Sequence, residues 1–284
     1  MGNQSAAISW YKRVHKCDSV EKDVLQKVNL LRENIGVTKP PVLVAKFLNA
    51  FFVRKVITVD LPPRINENFD GSIQPSKEGF IVKVNTNHLY ERQRFSIAHE
   101  LIHTLFYDTS VLPPKRPYRS ESNIQEEKIC NVGAAELLVP STFISEIIGR
   151  YKFSIKSLLV LASIFCVSPR VMSMRLIDLG LWDANILYYR LMQESDTNKP
   201  TSLRIEWFAT KRYWIPKMDG VDNEIILEAF KEKSYKTGIA DLYIGNMRGD
   251  FFIECLRLGN GVLCLIEDKA LHESRCNDGQ LILT

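Results

Sequence analysis

Two histidines four residues apart, His99 and His103, stand with Glu100 inside the otherwise apolar stretch RFSIAHELIHTLFYD, residues 94–108. On a helix this spacing places both imidazoles on one face, one turn apart, where they can grip a single metal ion. Glu100 is turned about 100° from His99, beside such an ion, and is placed to act as a base on a water held there. The plainer alternative is a pair of core histidines satisfied by backbone carbonyls. Energetics favours the metal, because Phe95, Ile97, Ala98, Leu101, Ile102, Leu105 and Phe106 leave the helix apolar on nearly every side and so predict its burial. An unpaired carboxylate buried there is costly, and a divalent cation offsets that cost.

A catalytic zinc usually takes three protein ligands and keeps a fourth position for water. The third ligand is sought in QEEKICNVGAAELLVP, residues 125–140, the next helical segment. Glu127 and Asn131 share a face there, so that Glu127 can bind metal while Asn131 hydrogen-bonds a ligand histidine. Glu126 competes with Glu127, and Glu121 and Glu136 are weaker competitors. Spacing alone does not choose among them, since glutamates near a helix start also serve as a solvated first turn that favours the dipole. Zinc is the expected ion, with manganese(II) or iron(II) open. Tyr90, Tyr107 and His88 lie close enough in the chain to serve a developing oxyanion.

These residues need elements to position them. Residues 18–35 predict an amphipathic helix capped by Asp18 or Ser19 and ended by Gly36. A second helix is expected in VLVAKFLNAFF, residues 42–52. After the turn-rich NENFDGSIQPSKEG, the alternation of FIVKVN, residues 80–85, predicts a strand with Phe80, Val82 and Val84 on its buried side. The metal helix is expected from about Glu91. A proline- and arginine-rich loop then leads to a helix over 123–138, with Ser122 as cap and Gln125 closing a capping box. From 154 two helices are broken at Val167-Ser168, with Ser168 as N-cap and Pro169 at the first helical position. QESDTNKP, residues 193–200, reads as a linker, and beyond it strand-like runs surround one helix, with GNG at 259–261 as a hairpin turn.

The residues RQRFSIAHELIHTLF and the following EKICNVGAAELLVP resemble the ImmA/IrrE family of zinc metallopeptidases, whose members read H-E-x-x-H and then E-x-x-A-x-x-F-A-x-x-L-L-M-P. The resemblance runs from about residue 20 to LASIFCVSPRVMSMRLIDLGLW. It implies His99 and His103 as histidine ligands, Glu100 as the catalytic glutamate and Glu127 as the ligand that completes the zinc site. Cys130, Gly133 and Val139 depart from the pattern, standing where alanine, an aromatic and methionine are usual. The resemblance further implies a cytoplasmic bacterial regulatory protease that cleaves a helix-turn-helix repressor and so switches on stress-response or mobile-element genes. The 80–85 strand would then offer an edge to which an extended substrate adds.

The fold class expected is therefore α+β. A mostly helical zincin-like metallopeptidase domain with a small sheet occupies 1–150, a helix-turn-helix-like helical segment 151–192, and a smaller α+β domain, GAF-like and sensor-like by the same resemblance, 200–284. The other function class is a zinc-stabilised DNA-binding regulator without protease activity, suggested by Lys156, Arg170 and Arg175 on the helix pair. A net charge of +4 is well short of the concentrated basic character that phosphate contacts require, so direct DNA binding is not expected. No apolar run reaches the roughly 20 residues that span a bilayer, so no membrane partner is expected. The six scattered cysteines read as free thiols of a reducing compartment.

Overall fold

A computed structural model describes residues 5–61, 69–118, 124–192, 202–210, 223–244 and 247–277. The molecule is α+β and divides into two compact units, Met1–Ile144 with Ile164–Ser168, and Ser145–Ser163 with Pro169–Thr284. Ser122 and the capping box built on it lie outside the described residues.

In the first unit α1 (Ala6–His15) and α2 (Val20–Asn34) begin at serines, Ser5 and Ser19, whose hydroxyls accept from Ile8 N–H and Lys22 N–H. This is the N-cap role in which a short polar side chain replaces the missing turn. Val24 and Val28 carry the buried stripe of α2. The helix expected over 42–52 is not formed. Val44–Phe47 is a single 3-10 turn and Phe52 takes φ 57, so the chain bends directly into β1 (Val53–Val59).

The three-stranded sheet has the order β1-β3-β2, with β2 at Gly71–Ser76 and β3 at Gly79–Asn85. β3 runs parallel to β1 and antiparallel to β2. The strand expected to offer a free edge is thus the central one, and both its backbone edges are spent. Phe80, Val82 and Val84 are buried on one face, as their alternation requires. The core of this unit gathers them with Phe47, Phe51, Leu101, Ile102, Phe106, Ala134, Leu137 and Leu138. α3 spans Tyr90–His103, α4 Ile124–Leu138 and α5 Ser141–Ile148.

α6 (Ile155–Phe165) and α7 (Pro169–Asp178) meet at a bend of 103°. The second unit carries a five-stranded sheet of order β5-β4-β8-β7-β6, from β4 (Asn185–Met192), β5 (Ser202–Thr210), β6 (Tyr235–Ile244), β7 (Met247–Leu258) and β8 (Gly261–Asp268). β4 pairs antiparallel with β5, so the polar stretch at 193–200 joins two neighbours of one sheet instead of two domains, and residues 185–192 belong to that sheet and not to a helical segment. α8 (Glu224–Lys231) and α9 (Lys269–Asn277) complete the described chain. The turn between β7 and β8 has Gly259 at φ 59, a left-handed position suited to glycine. No single described helix is long and apolar enough to cross a membrane.

Candidate metal centre

α3 begins after a turn in which the Gln93 side chain donates back to the carbonyls of Thr86 and His88, at 3.2 and 2.7 Å. From there the helix runs without a break to His103 and continues as a 3-10 turn, Thr104–Phe106. His99 and His103, one turn apart, bring their rings to 4.7 Å between centroids. Their Nε2 atoms are 3.0 Å apart.

α4 crosses this face with Glu126, Glu127, Cys130 and Asn131. Glu127 Oε2 lies 3.1 Å from His99 Nε2, and its Oε1 lies 3.4 Å from His103 Nε2. One ligand-type atom from each of the three residues falls within 4.8 Å of the others. The outer ring nitrogens are both engaged: His99 Nδ1 is 2.9 Å from Asn131 Oδ1, and His103 Nδ1 is 2.8 Å from Glu126 Oε1. Both partners are acceptors, so in neutral imidazoles each Nδ1 carries the proton and each Nε2 turns a lone pair inward. Two lone pairs and a carboxylate converging on one point, with no donor among them, are a donor set that fits a divalent cation.

The electrostatics of these residues say the same. Burial would lower the His103 imidazole, but hydrogen bonding to Cys130, Glu126 and Glu127 outweighs it and pushes the ring up to about 12. Glu127 is held well below the usual carboxylate range by His103 and His99. The cluster thus calls for positive charge, which a proton on His103 or a metal ion can provide. Glu100 is only 8% exposed, and burial raises its carboxyl against the opposing pull of His103 and His99. Gly71 of β2 packs over it, where a Cβ would come within 3.5 Å of Glu100 Cγ. The site opens on its Glu127 side, where that side chain is 52% exposed.

The structure therefore brings together His99, His103, Glu127 and Asn131, with Glu100 next along the helix. Glu136 lies elsewhere, 3.7 Å from Arg32 and accepting from Ser141, and Glu121 is outside the described residues. Glu126 sits behind His103 and not among the converging atoms. His88 Nδ1 is 3.0 Å from Asp70, Tyr90 is exposed, and Tyr107 packs edge-on against Phe80. Cys130 is fully buried, and burial pushes its thiol up to about 11 although His103 pulls it down. It is a small core residue in an alanine position. Arg116 and Tyr118, which both reach Glu126, were not among the expected site residues. No signal in the sequence points to them, because the proline- and arginine-rich segment that carries them has no periodicity to fix its path. Arg175, one of three cations suggested for DNA, is buried.

Residues 56–176 match the family described as an IrrE N-terminal-like domain. The radiation response metalloprotease IrrE of Deinococcus deserti is 34% identical over 85 residues, covering 29% of this chain and 30% of that one. Its namesake from Deinococcus radiodurans is 32% identical over 85 residues, covering 29% and 25%. The chain thus matches less than a third of the length of either relative. A solved Mycobacterium tuberculosis transcriptional regulator shares the fold at a TM-score of 0.54 and 12% identity, over 89% of this chain and 77% of that one.

Proposed function

We propose that this chain is a zinc-dependent endopeptidase of the ImmA/IrrE kind with its site on α3 and α4, a reading supported by the match of residues 56–176 to an IrrE N-terminal-like domain. The observation that carries the reading is the convergence of His99 Nε2, His103 Nε2 and the Glu127 carboxylate next to the buried Glu100. His99, His103 and Glu127 would hold the ion, which when bound supplies Lewis acidity towards a peptide carbonyl and acidifies water.

Glu100 is the proton carrier. As water oxygen bonds to the carbonyl carbon, a carboxylate oxygen of Glu100 accepts the water's proton; as the C–N bond breaks, the same oxygen returns it to the leaving nitrogen. Burial suits Glu100 to this, because a raised carboxyl pKa brings it nearer to neutral pH in both directions. Asn131 and the rigid helix keep His99 oriented throughout. An extended substrate segment finds its backbone partner at β2, which among the described residues is paired on one side only and whose Gly71 lies against Glu100. The substrate class is a helix-turn-helix repressor in the cytoplasm, whose cleavage releases stress-response or mobile-element genes. Direct DNA binding by this chain is disfavoured by the burial of Arg175.

Purified protein incubated with helix-turn-helix repressors from the same genome tests this. Glu100→Gln should retain zinc and lose cleavage by about 100-fold or more, and His103→Ala should lose both. Cleavage by Glu100→Gln at the wild-type rate would remove Glu100 from its role, and a wild-type protein that takes up no metal would remove the whole reading.

A further inference from the structure

Glu126 is 1% exposed, in the first turn of α4, and its carboxylate is fully engaged. Oε1 takes the His103 Nδ1–H at 2.8 Å and faces Arg116 Nη2 at 3.0 Å. Oε2 receives Arg116 Nη1 at 3.2 Å and faces the Tyr118 hydroxyl at 3.1 Å, which is also 3.2 Å from the Phe106 carbonyl. The guanidinium itself is flanked by aromatic rings, 4.8 Å from Tyr107 and 5.8 Å from Tyr118. The chain leading to it is pinned by the paired backbones of Asp108 and Lys115. A buried carboxylate is tolerated when it is paired and hydrogen-bonded, and here a forked Arg contact meets that need.

We propose that Glu126 is a positioning residue for the metal centre: it holds His103 with Nε2 facing the ion, and Arg116 and Tyr118 make the 106–118 segment part of that hold. This rests on reading His99, His103 and Glu127 as the metal ligands. A carboxylate on the far nitrogen of a ligand imidazole fixes the tautomer, prevents the ring from turning, and raises the basicity of the coordinating nitrogen. His99 has only a neutral amide in the corresponding place, Asn131, so the two imidazoles are not equivalent. His103 is the stronger donor and the one whose orientation depends on the loop. A glutamate run at a helix start is ordinarily solvated; this one is split, with Glu127 turned to the ion and Glu126 to its ligand.

The test uses the full chain stripped of metal and reloaded with zinc against a competing chromophoric chelator. Glu126→Gln, which keeps the shape and an acceptor but removes the charge, should bind zinc about tenfold more weakly, and Glu126→Ala about 10- to 100-fold more weakly. In both variants the cobalt(II) absorption spectrum should change. In the zinc-loaded wild type, imidazole ¹⁵N shifts should show His103 bound through Nε2 with a protected proton on Nδ1, a result that needs no variant to fold. Wild-type zinc affinity and an unchanged cobalt spectrum in Glu126→Gln, or binding of His103 through Nδ1, would overturn the inference while leaving the metal site standing. Failure of the wild type to bind zinc would overturn both.

Discussion

At Gly133 α4 lies close against α2 and α3. A Cβ there would meet Ile102 Cγ1 and Val24 Cγ1, both at 3.0 Å. Alanine would gain about 1 kcal/mol of helix propensity, but it would press on Ile102, which is fully buried and adjoins His103. A larger apolar residue has no room, so Gly133→Leu should cost about 1–3 kcal/mol through overpacking, read as a lower midpoint in urea unfolding. Tolerance of leucine at wild-type stability would show that α2 and α3 can yield here. At this scale the sequence was informative where chemistry depends on spacing along one helix: His99, Glu100 and His103, and likewise Glu127 with Asn131. It offered Glu126 only as a competing ligand and did not show its place behind His103, because its burial depends on Arg116 and Tyr118 arriving from a segment with no periodicity to predict its path.

Elements are positioned by side chains that reach across them, and Arg94 is the clearest case. It is 5% exposed on α3, and its guanidinium donates to the carbonyls of Val42, at 2.6 Å, Phe165, at 3.1 Å, and Cys166. Phe165 ends α6 and Cys166 follows in the left-handed region at φ 53, so these are carbonyls that the helix leaves without an internal partner. A cation at a helix C-terminus is also favoured by the dipole. Arg94→Met should therefore destabilise the protein by about 2–4 kcal/mol, the loss of charge-assisted bonds at a buried position. Arg94→Lys should recover only part of this, because the donors of an ammonium sit on one nitrogen, whereas the guanidinium reaches Val42 from Nη2 and Phe165 and Cys166 from Nη1. Equal stability of the Lys and Arg proteins in denaturant titration would refute that assignment. Elements with strong periodicity, α2, β3, α3 and α4, were legible. β2 was not, because Gly71-Ser-Ile-Gln-Pro-Ser has the composition of a turn and becomes a strand only by pairing with β3. The apolar run at 42–52 misled in the opposite sense, being buried through Val42, Val44, Phe47 and Phe51 without helical continuity.

At the scale of the whole chain, the two units carry ionisable groups of different kinds, and this makes their stabilities separable. In the second unit Glu267 is 1% exposed on β8, with Arg275 Nη1 at 2.8 Å but without hydrogen-bond alignment, and His272 Nδ1 at 3.5 Å. Burial pushes its carboxyl from 4.5 up to about 7, although the Arg275 charge opposes the shift. The folded unit thus keeps a proton that the unfolded chain has already released, and stability falls as pH rises from about 4.5 to about 7. Glu254 of β7, which accepts the Ile155 N–H at the start of α6, is raised by burial too and adds to the same slope. The first unit depends instead on charge at the metal centre: zinc at 100 times its dissociation constant should stabilise it by about 2.7 kcal/mol, and acid should weaken that gain because the ligands must be deprotonated. Calorimetry should then resolve two transitions. Zinc or its chelation should move one, and Glu267→Gln should flatten the pH dependence of the other between 5 and 7. A single transition that responds to both would mean that the two units unfold as one, and would make the carboxylate on β8 a determinant of the stability of the metal site itself.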